Sequence, residues 1–192
     1  MLDLTRAFAT FPALETARFQ LREVQPDDAA RIFEIMSDPR VTRYFGMLPM
    51  ENLAAAERRI AGIREAFAER SGVRWAIAER AGGRLLGTCG FWRLVAEHDR
   101  AEIGYELAAE SWGQGVMTEA LGAMLTFGFA EMGLHSVEAQ IHPANIGSRR
   151  VLEKLGFAQE GYFRENYHDV VEGGYTDTAV FSLLARDWRE RR

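Results

Sequence analysis

Two glycines one residue apart, Gly113 and Gly115, stand between a strand-like run and a helix-like run in Ser111-Trp112-Gly113-Gln114-Gly115-Val116-Met117-Thr118-Glu119-Ala120. A loop of this kind leaves the first backbone N–H groups of the helix without partners. Together with the positive end of the helix dipole they form a place for a phosphate. A plain tight turn has the same sequence form, so the segment alone does not decide. A P-loop requires a lysine directly after its second glycine, and none is present. The dinucleotide fingerprint Gly-x-Gly-x-x-Gly meets Thr118 at its sixth position, although a strand follows the helix and Glu138 lies near the expected acidic place.

A second segment adds to the first: Asn145-Ile146-Gly147-Ser148-Arg149-Arg150-Val151-Leu152-Glu153-Lys154-Leu155-Gly156-Phe157. With both in view the chain resembles the GNAT superfamily of N-acetyltransferases. Their coenzyme A loop reads Arg/Gln-x-x-Gly-x-Gly/Ala, and their next helix opens with Asn-x-x-Ser or similar and closes in Gly-Phe. The segment Leu14 to Arg22 and the phrase Ala101-Glu102-Ile103-Gly104-Tyr105 make it similar to the RimJ/RimL branch, the ribosomal-protein N-terminal acetyltransferases and their relatives. The likeness spans nearly the whole chain. It implies acetyl-CoA as cosubstrate, with the backbone of Gly113, Gln114, Gly115, Val116, Met117 and Thr118 on the pyrophosphate. The strand edge Tyr105, Glu106 and Leu107 would pair with the pantetheine amides. Asn145 would hydrogen-bond the CoA arm, where the residues alone read as a helix cap, and Ser148 would face the thioester sulfur. Two loop positions depart from the family pattern. Trp112 replaces Arg or Gln, as it does across the RimJ/RimL branch, and Met117 is bulkier than the usual Gly or Ala.

Acetyl transfer requires a neutral amine to attack, a developing oxyanion to be held, and the sulfur to be protonated as it leaves. A backbone N–H near Tyr105 to Leu107 is the expected oxyanion donor. Ser148 is the expected proton donor or water holder, with Tyr162 and Tyr167 as substitutes. An α-amine, with a pKa of about 7.7 to 8.0, needs less help from a base than a lysine near 10.4. Glu102 and Glu106 share one side of their strand by alternation and are the base candidates, although both also read as ordinary strand carboxylates. Cys89 reads as a small buried residue rather than a nucleophile. His98, His135, His142 and His168 have no ligand spacing, so no metal is expected.

These residues need elements to position them. Arg18 to Val24 alternates as a strand, and Pro26-Asp27-Asp28 opens a helix that Ser37-Asp38-Pro39 stops. A loop with Tyr44 and Phe45 leads to a helix from about Met50 to Glu69, whose apolar face carries Leu53, Ala56, Ile60, Ile63 and Phe67. In the resembling family this region lines the acceptor cleft, making Tyr44 and Phe45 candidate substrate contacts or simple loop packing. Three strands in a meander follow (from Val73, from Leu85, and Ala101 to Leu107). Then come a helix Thr118 to Met132 capped at Gly133, a strand Ser136 to Ile141, a helix Ile146 to Leu155 capped at Gly156, and strands Phe157 to Tyr167 and Tyr175 to Leu184 around Glu172-Gly173-Gly174. The crossover helix makes its flanking strands candidate parallel neighbours.

The expected fold class is therefore α/β (α+β), a single GNAT-like domain over residues 1–192. Its mixed, mostly antiparallel twisted sheet carries helices on both faces, and residues 1–12 form a loose lead-in. The chain has 192 residues, a formal net charge of −5, 27% charged residues and one cysteine. The acidic balance argues against nucleic acid as a partner and favours cationic acceptors. The lone cysteine suits a reducing cytoplasm, and no run is apolar enough for a membrane span. The acceptor is an amine, either a protein N-terminus or a small molecule, and the resemblance admits a homodimer. A noncatalytic acyl-CoA-binding or sensing module is the alternative.

Overall fold

The structure is a computed structural model and describes residue 2, residues 4–171 and residues 173–191. Eight strands form one open sheet: β1 (Leu14–Glu15), β2 (Phe19–Glu23), β3 (Val73–Glu79), β4 (Leu85–Val95), β5 (Arg100–Leu107), β6 (Ser136–Ile141), β7 (Ala158–Asp169) and β8 (Gly174–Leu184). Their spatial order is β1-β2-β3-β4-β5-β6-β8-β7. Every neighbouring pair is antiparallel except β5 with β6. The expected mixed sheet, meander and parallel crossover are all present. The helices are α1 (Leu4–Ala7), α2 (Ala29–Met36), α3 (Pro39–Thr42), α4 (Leu53–Ala68), α5 (Val116–Phe127), α6 (Ile146–Leu155) and α7 (Ala185–Glu190).

Side-chain alternation divides the interior into two cores. On one face, Trp75, Ile77, Cys89, Phe91, Ala101 and Ile103 meet Met117, Ala120, Leu121, Met124 and Leu125 of α5. On the other, Ala76 and Val24 meet Ile32 and Ile35 of α2 and Ala56 and Ile60 of α4. Helices on both faces explain why β3 is buried almost throughout. Cys89 is fully buried, and burial pushes its thiol up to about 12, so it stays protonated as the sequence reading expects of a core residue.

Several boundaries move for local reasons. α4 begins at Leu53 rather than near Met50, because Asn52 caps it by accepting the Ala55 N–H at 3.0 Å. Leu53 is exposed rather than part of the apolar face. α5 begins at Val116, two residues earlier than expected, and passes into a π-helical turn at Gly128–Met132 closed by Gly133 at φ 78°. A Cβ on Gly128 would lie 2.6 Å from the Phe91 ring, so only glycine lets the turn sit against β4. The lead-in is not loose. Phe8 is buried and stacks on Phe67 at 5.2 Å, Phe11 packs on Phe67 and Trp75, and the Trp75 indole donates to the Pro12 carbonyl at 2.6 Å. Sparse aromatics on irregular backbone have no period, which is why this packing is hidden in the sequence. Glu172 of the expected turn and Met1 of the lead-in lie outside the described residues.

One buried polar knot joins α4 to the sheet. The Glu106 carboxylate on β5 accepts from Arg59 of α4 at 2.8 Å, from Arg74 of β3 at 2.8 Å and from the Thr88 hydroxyl of β4. Burial alone would push the Glu106 carboxyl up. The charges of Arg59 and Arg74, with the Thr88 hydrogen bond, outweigh burial and bring it down to about 2.

Replacing Glu106 by Gln leaves two guanidiniums without their counter-charge and is expected to cost about 3–5 kcal/mol at pH 7, read by urea unfolding. Because the folded carboxyl titrates below its ordinary 4.5, this stabilisation is complete above about pH 4.5 and is lost as pH falls toward 2. The stability difference between wild type and Glu106→Gln should narrow across that range. A second test is steric: a Cβ on Gly87 would lie 2.1 Å from the Glu106 carbonyl oxygen. Gly87→Ala is expected to destabilise by about 1–3 kcal/mol in the same measurement.

Candidate functional site

β5 and β6 pair only through Arg100↔Ser136, Ala101↔Val137 and Glu102↔Glu138. Beyond Glu102 the two strands part, and the edge of β5 from Ile103 to Leu107 faces a wedge-shaped gap. Ala108 N–H donates to the Leu86 carbonyl at 2.8 Å. Strand alternation therefore turns the main chain of Gly104 and Glu106 toward β4, and that of Ile103, Tyr105 and Leu107 toward the gap. The Leu107 carbonyl is covered by Trp112, whose indole N–H donates to it at 2.9 Å. The Tyr105 N–H and carbonyl and the Leu107 N–H are left as an edge that an extended amide-bearing chain could pair with. Glu106, expected on that edge, contributes neither main chain nor side chain to it.

The wedge opens toward the glycine loop. Gly113 and Gly115 have φ of 74° and 75°, a left-handed conformation that L side chains rarely adopt. Gly115 is the N-cap of α5 and supplies no side-chain cap; the first helical amide to be satisfied is Glu119 N–H, on the Gly115 carbonyl at 3.1 Å. A Cβ on Gly113 would meet nothing within 4 Å, and one on Gly115 only Arg18 at 3.5 Å, so the two glycines answer to the left-handed backbone rather than to crowding. An oxyanion-bearing group fits this cradle of N–H groups. Val116 and Met117 are buried in the core. The bulk of Met117 thus points away from the cradle and does not block approach. Arg18 fixes the loop from behind: its guanidinium donates to Glu119 at 2.7 Å and to the Gln114 carbonyl at 3.1 Å.

On the α5/α6 face of the sheet, the Tyr105 hydroxyl and Ser148 Oγ are hydrogen-bonded at 2.6 Å. Burial pushes the Tyr105 phenol up, opposed by its bond to Ser148, to about 12. It therefore keeps its proton throughout the physiological range. Ser148 is itself buried, in the first turn of α6. Asn145 caps that helix, its Oδ1 accepting Ser148 N–H at 3.0 Å; its Nδ2 makes no hydrogen bond among the described residues. The cap reading thus applies to one end of the Asn145 amide, and the other end is still able to donate. Tyr162 and Tyr167 are engaged elsewhere, Tyr162 with Asp177 at 2.6 Å and Tyr167 with the Phe45 carbonyl at 3.3 Å.

On the opposite face, Glu102, Gly104 and Glu106 form the floor beside the gap. Glu102 lies at the last paired position, where its carboxylate accepts from Arg93 at 3.1 Å and from Gln140 of β6 at 3.5 Å. Glu106 is locked in the knot described above, which makes it the poorer proton acceptor of the two. The α3–α4 loop spans this face. The Tyr44 ring packs on His142, just past β6, at 5.1 Å. Gly46, at φ 62°, lies under the Tyr167 ring of β7 so closely that a Cβ would come within 2.1 Å of it. Tyr44 is thus placed at the mouth of the gap, whereas Phe45 packs against the α2/α4 core. An open cavity of about 560 Å³ on this side is lined by Met47, Met50, Asn52, Arg58 and Arg59 among others.

Sequence reasoning did not find the Tyr105 side chain, Arg59, Arg74 or Thr88. A visible signal was Arg74, an arginine between Val73 and Trp75 in a strand buried on both faces.

The chain as a whole has relatives among known proteins. The family model for the acetyltransferase (GNAT) domain matches residues 18–158. An uncharacterized N-acetyltransferase of Bacillus subtilis, YoaA, is 38% identical over 174 residues, covering 91% of this chain and 97% of that protein. The Escherichia coli [ribosomal protein uS5]-alanine N-acetyltransferase is 25% identical over 188 residues, covering 93% and 94% of the two chains. In three dimensions the fold is similar to that of Mycobacterium smegmatis RimJ in complex with CoA-disulfide, with a TM-score of 0.81, 22% identity, and coverage of 92% of this chain and 88% of that one. Among the described residues no helix is long and apolar enough to cross a membrane. The chain belongs to the GNAT family of acetyl-CoA-dependent N-acetyltransferases.

Proposed function

We propose that this enzyme moves an acetyl group directly from acetyl-CoA to the primary amine of a small molecule or a protein N-terminus. The observation that carries this reading is the hydroxyl pair Tyr105–Ser148, held at 2.6 Å beside the stretch of β5 that faces the gap. Bound acetyl-CoA supplies an activated carbonyl with a thiolate leaving group. The open N–H groups from Gly113 to Thr118 would hold its pyrophosphate, the Tyr105 carbonyl and the Leu107 N–H its amide-bearing arm, and the Asn145 Nδ2 donor a carbonyl of that arm.

The two sides of the sheet divide the work. Residues Ser148 and Tyr105 act from the α5/α6 face, and the acceptor enters over Glu102 and Gly104 on the other. As the new N–C bond forms and the C–S bond breaks, the nitrogen loses one proton and the sulfur gains one. A phenol at about 12 is too weak an acid to surrender its proton outright to a thiolate near pKa about 8.5. The pair therefore serves as a hydrogen-bond donor: the Ser148 hydroxyl, held by Tyr105, hydrogen-bonds the sulfur as the C–S bond breaks, and the leaving thiolate takes its proton from water. Glu102, at the point where the strands part, accepts the amine proton, directly or through water. The Tyr105 main-chain N–H, turned into the gap, stabilises the charge on the carbonyl oxygen. Similarity to the uS5-alanine enzyme supports a protein N-terminal alanine as one acceptor class.

Thiol release in the presence of peptides, amino acids and polyamines tests the reading. Tight CoA binding with no acceptor-dependent release across that panel would instead mark a noncatalytic acyl-CoA-binding module. Ser148→Ala is expected to lower kcat by about 10²-fold or more while leaving calorimetric acetyl-CoA affinity nearly unchanged; equal losses in both would reassign Ser148 to binding. Tyr105→Phe keeps the main-chain edge and removes only the hydroxyl. It should reduce kcat, by less than Ser148→Ala, with affinity again preserved.

A further inference from the structure

The knot under the acceptor face carries more cation than it needs. Two guanidiniums, Arg59 and Arg74, share one carboxylate, Glu106, and no other acidic side chain among the described residues forms an ion pair with either. The local charge is therefore one unit positive. Only Arg59 Nη2 and Arg74 Nη1 are used on Glu106. Arg59 Nε is buried with no hydrogen-bond partner, a state that normally costs stability and is tolerated where a ligand or function requires it.

The spare donors lie where an attacking amine must pass. Arg74 Nη2 comes within 3.0 Å, and the Trp92 indole nitrogen within 3.8 Å, of the point a Cβ on Gly104 would occupy. Gly104 is the residue before Tyr105, so this point borders the gap on the acceptor side. The absence of a side chain at Gly104 lets the Arg74 guanidinium lie against the strand there, with its Nη2, like the Trp92 indole nitrogen, making no hydrogen bond among the described residues. Trp92 is exposed and its indole N–H makes no hydrogen bond among the described residues. Glu102 on this face is balanced by Arg93, so one positive charge remains in excess, and a carboxylate on the acceptor would neutralise it.

We infer that the preferred acceptor carries a carboxylate on the carbon bearing its amine or one carbon away, as a free amino acid does, and that Arg74 and Trp92 hold this carboxylate above Gly104. This rests on the acetyl-transfer reading and names the acceptor class for the same site. The net charge of −5 would suggest cationic acceptors, but the charge that matters is local, and here it is positive.

Matched acceptors decide it. Leucine, leucinamide and putrescine would be compared by kcat/KM in the thiol-release assay, with product mass confirming N-acetylation. Leucine is expected to exceed leucinamide by at least tenfold, with the difference in KM, and putrescine to be the poorest. Trp92→Phe, at an exposed position, and Arg74→Lys, which keeps a cation on Glu106, should each shrink the leucine-to-leucinamide ratio severalfold while changing leucinamide kinetics little. Equal or better turnover of leucinamide or putrescine would overturn the inference and leave acetyl transfer standing. A ratio unchanged in both variants would overturn the assignment of these two side chains. Failure of every amine on the wider panel would overturn acetyl transfer itself, and the inference with it.

Discussion

The ladder between β5 and β6 stops after three residue pairs, and the functional half of the molecule depends on that interruption. A parallel pair joined by a crossover helix would ordinarily run on until its backbone groups were satisfied, because unpaired N–H and carbonyl groups removed from water are costly. Here β6 stays with β8 along its full length, Ser136 to Ile141, while β5 stays with β4 to Leu107. Each strand is anchored on its outer side, so the pair can separate without unravelling the sheet. The gap is thereby a fixed opening between two stable half-sheets. The glycine cradle lies at its wide end, and Glu102 lies where it closes.

Electrostatics around that opening is arranged by face. The α5/α6 side presents two hydroxyls, both kept neutral, and an amide cap. The other side holds the Glu106 knot, in which burial and ion pairing oppose each other and pairing prevails. Such a knot contributes modestly to net stability relative to a well-packed apolar cluster of the same size. It does secure α4 to three strands at once, which keeps that face of the sheet in register with the hydroxyl pair on the other.

Much of this was legible in the chain. The Gly113/Gly115 loop, the crossover, the Asn145 cap and the closing Gly133 and Gly156 all have local signatures, and local signatures survive folding. The features that were not legible depend on long-range partners. Tyr105 was identified for its main chain, but nothing near it in sequence announces Ser148 forty-three positions later. Glu106 looked like an ordinary strand carboxylate because Arg59 and Arg74 are remote in the chain. Phe8 and Phe11 lacked periodicity because they pack from irregular backbone. Glu102 and Glu106 were equivalent by alternation, and only their different partners separate them.

The Arg18 clamp has a consequence for how a ligand is met. By gripping the Gln114 carbonyl and Glu119 from outside, Arg18, the residue just before β2, sets the curvature of the glycine loop. The loop's amides thus converge by virtue of the fold, and little conformational entropy remains to be lost when an anion arrives. An anion held there, as proposed above, would meet a lock rather than a closing hand.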